Sequence, residues 1–131
     1  GLLRLGKITD NMEYTEMAEK TLTLFSDNLK NNPITVPYLL QALDFIIHEP
    51  RRAVITGDPR SSGAKGLIAA AHSVYQPNKV VLGVAGPVEN FAKKLPIGKQ
   101  SEVYLCTGSA CQEPTINEAK LREMLSAKKL P

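Results

Sequence analysis

The sequence predicts an α/β fold: an N-terminal antiparallel helical hairpin, then a small three-stranded, mostly parallel sheet with flanking helices. Three observations carry this expectation. Apolar residues recur at helical spacing up to about residue 50. From Arg51 onward, short continuous apolar runs alternate with helical patterns, as in a parallel sheet covered on both faces. Finally, 131 residues at 43% hydrophobic and 22% charged supply one real core, not several. The expected division is residues 1–50 as the hairpin and 51–131 as a small α/β domain.

Leu2, Leu3 and Leu5 followed by Gly6 read as the last turn of a helix, with Gly6 as its C-cap. That turn looks cut from a longer body, and the chain starts on Gly1. It is therefore expected to be a fragment of a longer protein, so a missing signal peptide carries no weight. Residues 12–30 form one amphipathic helix in this reading, with Tyr14, Met17, Ala18, Thr21, Leu22, Phe25 and Leu29 on its stripe. Asp10 or Asn11 caps its start, and Asn31, Asn32 and Pro33 end it. A second helix over 36–48 follows Thr35 as N-cap and buries Val36, Leu39, Leu40, Leu43, Ile46 and Ile47. Tyr38 and Phe45 lie off that stripe and add bulk to a second side. The short connection makes the two helices antiparallel neighbours.

Ala53 to Thr56 is the first strand, ended by Gly57, Asp58 and Pro59. Asp58 as N-cap with Pro59 at N1 would open a helix carrying Ala64, Leu67, Ile68, Ala71, Val74 and Tyr75. Lys79 to Val84 is the second strand, closed by Gly86 and Pro87. A short helix over 88–95 leads to a third strand at Val103, Tyr104 and Leu105. The last helix opens on Thr115 with Glu118 three residues on, a capping-box pattern, and closes on Lys128 and Lys129. With all strands parallel, the loops 56–62, 85–88 and 106–115 would share one edge, where open α/β sheets bind ligands.

Charge and composition exclude some classes. The net charge of +3 is spread along the chain, there is no Trp, and aromatics make up 5%, so no nucleic-acid face is expected. No apolar run approaches about 20 residues, so no membrane span is expected. A cytoplasmic location is the working expectation.

Chemistry has few places to reside. Cys106 and Cys111, the two cysteines, are spaced Cys-x4-Cys. Three readings stay open: two structural thiols, a disulfide or redox pair, or a metal ligand pair. The spacing is not that of a thioredoxin-type motif, and no second pair exists for zinc, so no metal site or cofactor is expected. The loop with Gly57, Asp58, Ser61 and Ser62 could present N–H groups to an anion, assisted by Arg60 and Lys65, but lacks both phosphate-loop spacings. Its plain reading is turn formation and capping. Asp44 and Glu49 read as a solvated face, and His48 and His72 hold no signature spacing to the cysteines. No nucleophile elbow is present, so the catalytic residues are unknown.

The run from Tyr104 through Cys106, Cys111 and Pro114 to Thr115, followed by Leu121 to Leu125, resembles the C-terminal end of the spermatogenesis-associated protein 20 family. Bacterial members of that family are described as thioredoxin-domain or YyaL-type proteins. Leu5 to Asp10 and Ala53 to Asp58 resemble it too, so the likeness spans nearly the whole chain. The resemblance implies a thioredoxin-like domain, a helical toroid similar to six-hairpin glycosidases, and then this tail. Residues 1–50 would then end the toroid. Only Cys106, Cys111 and Pro114 carry over as motif positions, without an assigned role. The leading expectation is an accessory, non-catalytic C-terminal domain whose partners are the upstream domains, with self-association of the fragment through exposed helical faces. The alternatives are a redox module using the cysteines, or small-molecule binding (phosphate or sugar) at the strand edge.

Overall fold

A computed structural model describes residues 1–127, so the expected closing lysines, Lys128 and Lys129, lie outside the described residues. The elements in order are α1 (Leu2–Thr9), α2 (Met12–Leu24), α3 (Ser26–Asn31), a 3-10 turn (Pro33–Thr35), α4 (Pro37–Ile47), β1 (Arg51–Thr56), α5 (Ser62–Ser73), β2 (Lys79–Gly83), α6 (Asn90–Lys93), β3 (Glu102–Thr107), β4 (Ala110–Cys111) and α7 (Glu118–Ser126).

The sheet corrects the expectation of three mostly parallel strands. It has four strands in the order β2-β1-β3-β4, and only β1 and β2 are parallel. β3 runs antiparallel to β1, with Arg52 opposite Cys106 and Thr56 opposite Glu102. The expected crossover helix shortens to the four residues of α6. The connection enters β3 at the end where β1 and β2 finish, so β3 runs against β1. β4 then folds back on β3 through a two-residue turn, Gly108 and Ser109, with Gly108 at φ 58°.

Alternation along β1 and β3 splits the core into two layers. Ala53, Ile55, Val103 and Leu105 face α5 and α7, where Leu67, Leu121 and Leu125 are almost fully buried. Val54, Tyr104 and Cys106, with Val80 and Leu82 of β2, face the other way. There they meet Leu3 of α1, Ala18 of α2, Phe45 of α4 and Ala92 of α6. The N-terminal helices thus cover one face of the sheet.

Those helices differ from expectation in three ways. Gly6 does not cap α1; it lies inside it, and Asp10 in the left-handed region ends the helix (φ 57°). Gly6 is where α2 comes closest: a Cβ there would sit 2.7 Å from Thr15 Oγ1. The expected 12–30 helix is broken at Phe25 (φ −99°, ψ 17°). Just before the break, Thr21 and Thr23 each donate a side-chain bond to the carbonyl four residues back (2.9 Å), a pattern that bends helices. In α4 the buried side is turned toward Phe45, with Leu39 and Leu43 of the expected stripe half-buried and Tyr38 exposed. Phe45 is 5% exposed, whereas Ile46 (39%) and Ile47 (64%) of the expected stripe face outward. The bulky ring off the stripe fills the space over the sheet. N-cap positions shift as well: Val36, not Thr35, precedes Pro37.

Replacing Gly6 with Ala tests the α1–α2 approach. We expect Gly6→Ala to cost about 1–2 kcal/mol through overpacking, despite Ala's better helix propensity. Adding Thr15→Ala should remove that cost. A single variant more stable than wild type in urea unfolding would show that the helices do not meet there.

Candidate functional site

The mixed sheet separates the two candidate sites. Because β3 opposes β1, the cysteines lie at the end where β1 begins, and the Gly57–Ser62 loop lies at the other end. The expected meeting of loops 56–62, 85–88 and 106–115 on one edge does not occur. The loop before β3 takes the place of the cysteine loop beside Ser61.

At the 57–62 end, the local geometry follows turn chemistry. Asp58 does not cap the helix. Its Oδ1 accepts the Arg60 N–H (2.9 Å), making an extra turn before α5. Ser61 is the N-cap: its Oγ accepts the Ala64 N–H (3.1 Å) and lies 2.9 Å from Ser101 Oγ. Gly57 has φ 91°, and a Cβ there would meet Ser101 Oγ at 2.8 Å. Ser62 is exposed. The loop is thus held by Ser101, a residue that sequence reading passed over.

At the other end, Cys106 and Cys111 are directly opposite on β3 and β4 and are joined by a disulfide (S–S 2.00 Å, Cα–Cα 4.0 Å). Cys106 is fully buried in the sheet face, and Cys111 is exposed. Closing so short a loop restricts the unfolded chain by only about 2 kcal/mol. The remainder of the motif runs along the outer edge of β3. Gln112 N–H donates to Leu105 O (2.9 Å), and Thr115 exchanges two bonds with Val103 (2.9 and 3.0 Å). Pro114 sits between these pairing points, where an edge needs no N–H. Thr115 is therefore committed to the sheet and cannot be the expected cap. Asn117 caps α7 instead, its Oδ1 accepting the Lys120 N–H (3.0 Å).

Beside Cys106 lies a buried charge pair that sequence reading missed. Arg52 and Glu89 are 7% and 9% exposed, and Arg52 Nη1 lies 2.5 Å from the Glu89 carboxylate oxygens. The second guanidinium nitrogen donates to Gly108 O in the cysteine turn. The guanidinium also lies over Phe91, 4.9 Å from the ring centre. Arg52 Nε is buried with no acceptor among the described residues. The available signal was a charged doublet inside a strand: Arg51 and Arg52 must point to opposite faces. Arg51 indeed crosses to the other face and donates to Met124, Leu125 and Ala127 carbonyls (3.1, 3.2 and 2.8 Å), capping α7. Lys79 does the same for α5 through Ala71 O and Val74 O. Burial, with Arg4 nearby, holds the Lys79 ammonium below its ordinary pKa.

The other polar candidates stay apart from both sites. His48 Nδ1 lies 2.8 Å from Asp44 Oδ1, and Glu49 lies 3.7 Å from Lys7. Among the described residues, no three His, Cys, Asp or Glu side chains gather as a metal site. No helix among them is long and apolar enough to cross a membrane.

Tyr104 supplies a titration test of this sheet face. Burial first, then the neighbouring Glu102 carboxylate, raise its pKa above 10.0. The folded phenol keeps its proton longer than the unfolded one. That contribution to stability is complete below pH 10.0 and is lost as pH rises through the folded value. Phenolate absorbance should show a phase above pH 10.0 that belongs to Tyr104. A Tyr104→Phe variant that leaves that phase in place would refute the assignment.

Comparison with known proteins follows the same lines. The chain is 30% identical over 132 residues to human spermatogenesis-associated protein 20, covering 95% of this chain and 17% of the human protein. The mouse protein of the same name is 29% identical over 132 residues, with the same coverage. An uncharacterised Caenorhabditis elegans protein is 27% identical over 133 residues, covering 95% of this chain and 18% of that protein. No family model matches, and no solved structure does so significantly. The resemblance drawn from the cysteine run is borne out. The chain spans only about a sixth of these relatives' length (17%).

Proposed function

We propose that this chain, homologous to one segment of spermatogenesis-associated protein 20, is an accessory, non-catalytic C-terminal domain of a larger protein. It docks on the rest of that polypeptide through the outer side of α1, α2 and α4. One observation carries this reading: the distribution of exposed apolar side chains. Of the large hydrophobic residues exposed among the described residues, only Tyr75, Ile97 and Ile116 lie after residue 47. Up to and including it, Met12, Met17, Leu24, Ile34, Tyr38 and Ile47 are all more than half exposed. Large apolar surfaces of this kind mark interaction sites. A cleft of about 350 Å³ between α1, α2 and α4, lined by Leu3, Leu22, Leu39 and Phe45, adds a recess for a partner's apolar side chain. The helical toroid implied by the family resemblance is the partner in this reading.

The test compares the 131-residue chain with the full-length polypeptide that contains it. The chain alone should bind a hydrophobic dye and self-associate in light scattering. Leu40→Glu with Ile47→Glu should reduce both by several-fold while keeping the circular dichroism spectrum. In the full-length protein the same pair should open the segment to limited proteolysis. A dye-dark monomer, or a full-length protein indifferent to the substitutions, would overturn the reading.

A further inference from the structure

We propose that Cys106 and Cys111 form a dithiol–disulfide exchange couple, in which a dithiol reductant attacks Cys111 and Cys106 departs as a thiolate held beside Arg52. This inference stands independently of the docking surface. Three observations carry it. The two cysteines differ in access: Cys111 is exposed on the two-residue edge strand β4, and Cys106 is fully buried. An incoming thiolate therefore has one sulfur to reach, and the other is left as the departing group. The loop closed by the bond is five residues in sequence separation, so the bond adds little to holding the fold. Lastly, Arg52 is the cross-strand neighbour of Cys106. Its guanidinium is buried, grips the turn at Gly108, and keeps an Nε donor without an acceptor among the described residues. A thiolate formed on Cys106 would be a negative acceptor on the strand position paired with Arg52; the guanidinium favours it, while burial and the Glu89 carboxylate on the same guanidinium oppose it.

The step balances as follows. A thiolate of the reductant forms an S–S bond to Cys111 Sγ. The Cys106–Cys111 bond breaks, and its electron pair remains on Cys106 Sγ. The reductant's second thiolate then attacks its own sulfur in the mixed disulfide, closing the reductant's disulfide and releasing Cys111 as a thiolate. The protein gains two electrons, and two protons as the thiolates are protonated; the dithiol loses the same.

The folded chain is pulsed briefly with 2-mercaptoethanol, a monothiol with no second sulfur to close a ring, and then quenched in urea with excess maleimide; the adducts are mapped by mass spectrometry. The expected early product carries the monothiol on Cys111 and the maleimide on Cys106. A monothiol on Cys106 would overturn the direction of attack. No adduct after a pulse of the folded chain, with rapid modification when the pulse itself is in urea, would make the bond purely structural and overturn the proposal. Two maleimides on chain quenched without any pulse would show free thiols and also overturn it. In Cys111→Ser, thiolate absorbance should show Cys106 ionising at lower pH than in the same variant with Arg52→Met and Glu89→Leu added, which removes both charges. An unchanged or lower Cys106 pKa without the pair would remove the role given to Arg52.

Discussion

Arg52→Met is expected to destabilise the chain by about 3–5 kcal/mol, the usual cost of breaking a buried charge pair from one side. The substitution keeps most of the side-chain volume over Phe91 but strands the Glu89 carboxylate, which is 9% exposed. It also leaves Gly108 O without its guanidinium donor. The cost comes from the orphaned charge, not from an intrinsic strength of the pair, so a second substitution should reveal it. Arg52→Met with Glu89→Leu removes both charges and should recover most of the loss. Urea unfolding of the wild type, both single variants and the double variant closes the cycle. A single variant within about 1 kcal/mol of wild type would mean that Glu89 finds water or another partner, and that the pair does not anchor the cysteine turn.

Leu121→Ala is expected to cost about 2–5 kcal/mol, the range for emptying a leucine site in a core that cannot collapse. Leu121 is 0% exposed on α7 and packs in the same layer as Leu67 of α5 and Leu105 of β3. α7 is also held by Leu125 and the half-buried Met124, by the Arg51 and Gln76 bonds to its last carbonyls, and by Arg122 on Ser73. Ile47→Ala is the control. Ile47 is as large, but it is 64% exposed on α4, so its truncation should change stability in the isolated chain by no more than about 0.5 kcal/mol. If the two variants unfold at the same denaturant concentration, the assignment of Leu121 to the core is wrong.

Element types were legible because hydrophobic period is a local property. The apolar run at Ala53 to Thr56 and the helical spacing of Ala64, Leu67 and Ala71 appear in the fold as β1 and α5. The cysteine hairpin was legible too, although the expectation treated it as a loop. Gly108 and Ser109 between Thr107 and Ala110 are a two-residue hairpin signal. The caps were misplaced for a common reason. Asp58 and Thr115 both have the right chemistry, but each was already committed, one to a turn and one to the sheet edge. A cap is chosen by the backbone conformation at that position, and a neighbouring serine or asparagine took each role.

By itself, the sequence determined the α/β class and the likeness to spermatogenesis-associated protein 20. Tertiary structure alone decided three things. β3 enters at the end where β1 and β2 finish and pairs antiparallel with β1, which puts the cysteines at the end opposite Gly57 and Ser61. The side of α4 that is buried depended on which ring filled the gap over the sheet, and that was Phe45. The partner of Arg52 lay 37 residues away at Glu89, a distance no local pattern encodes. Periodicity reports which residues share a face; only the folded chain brings two faces together.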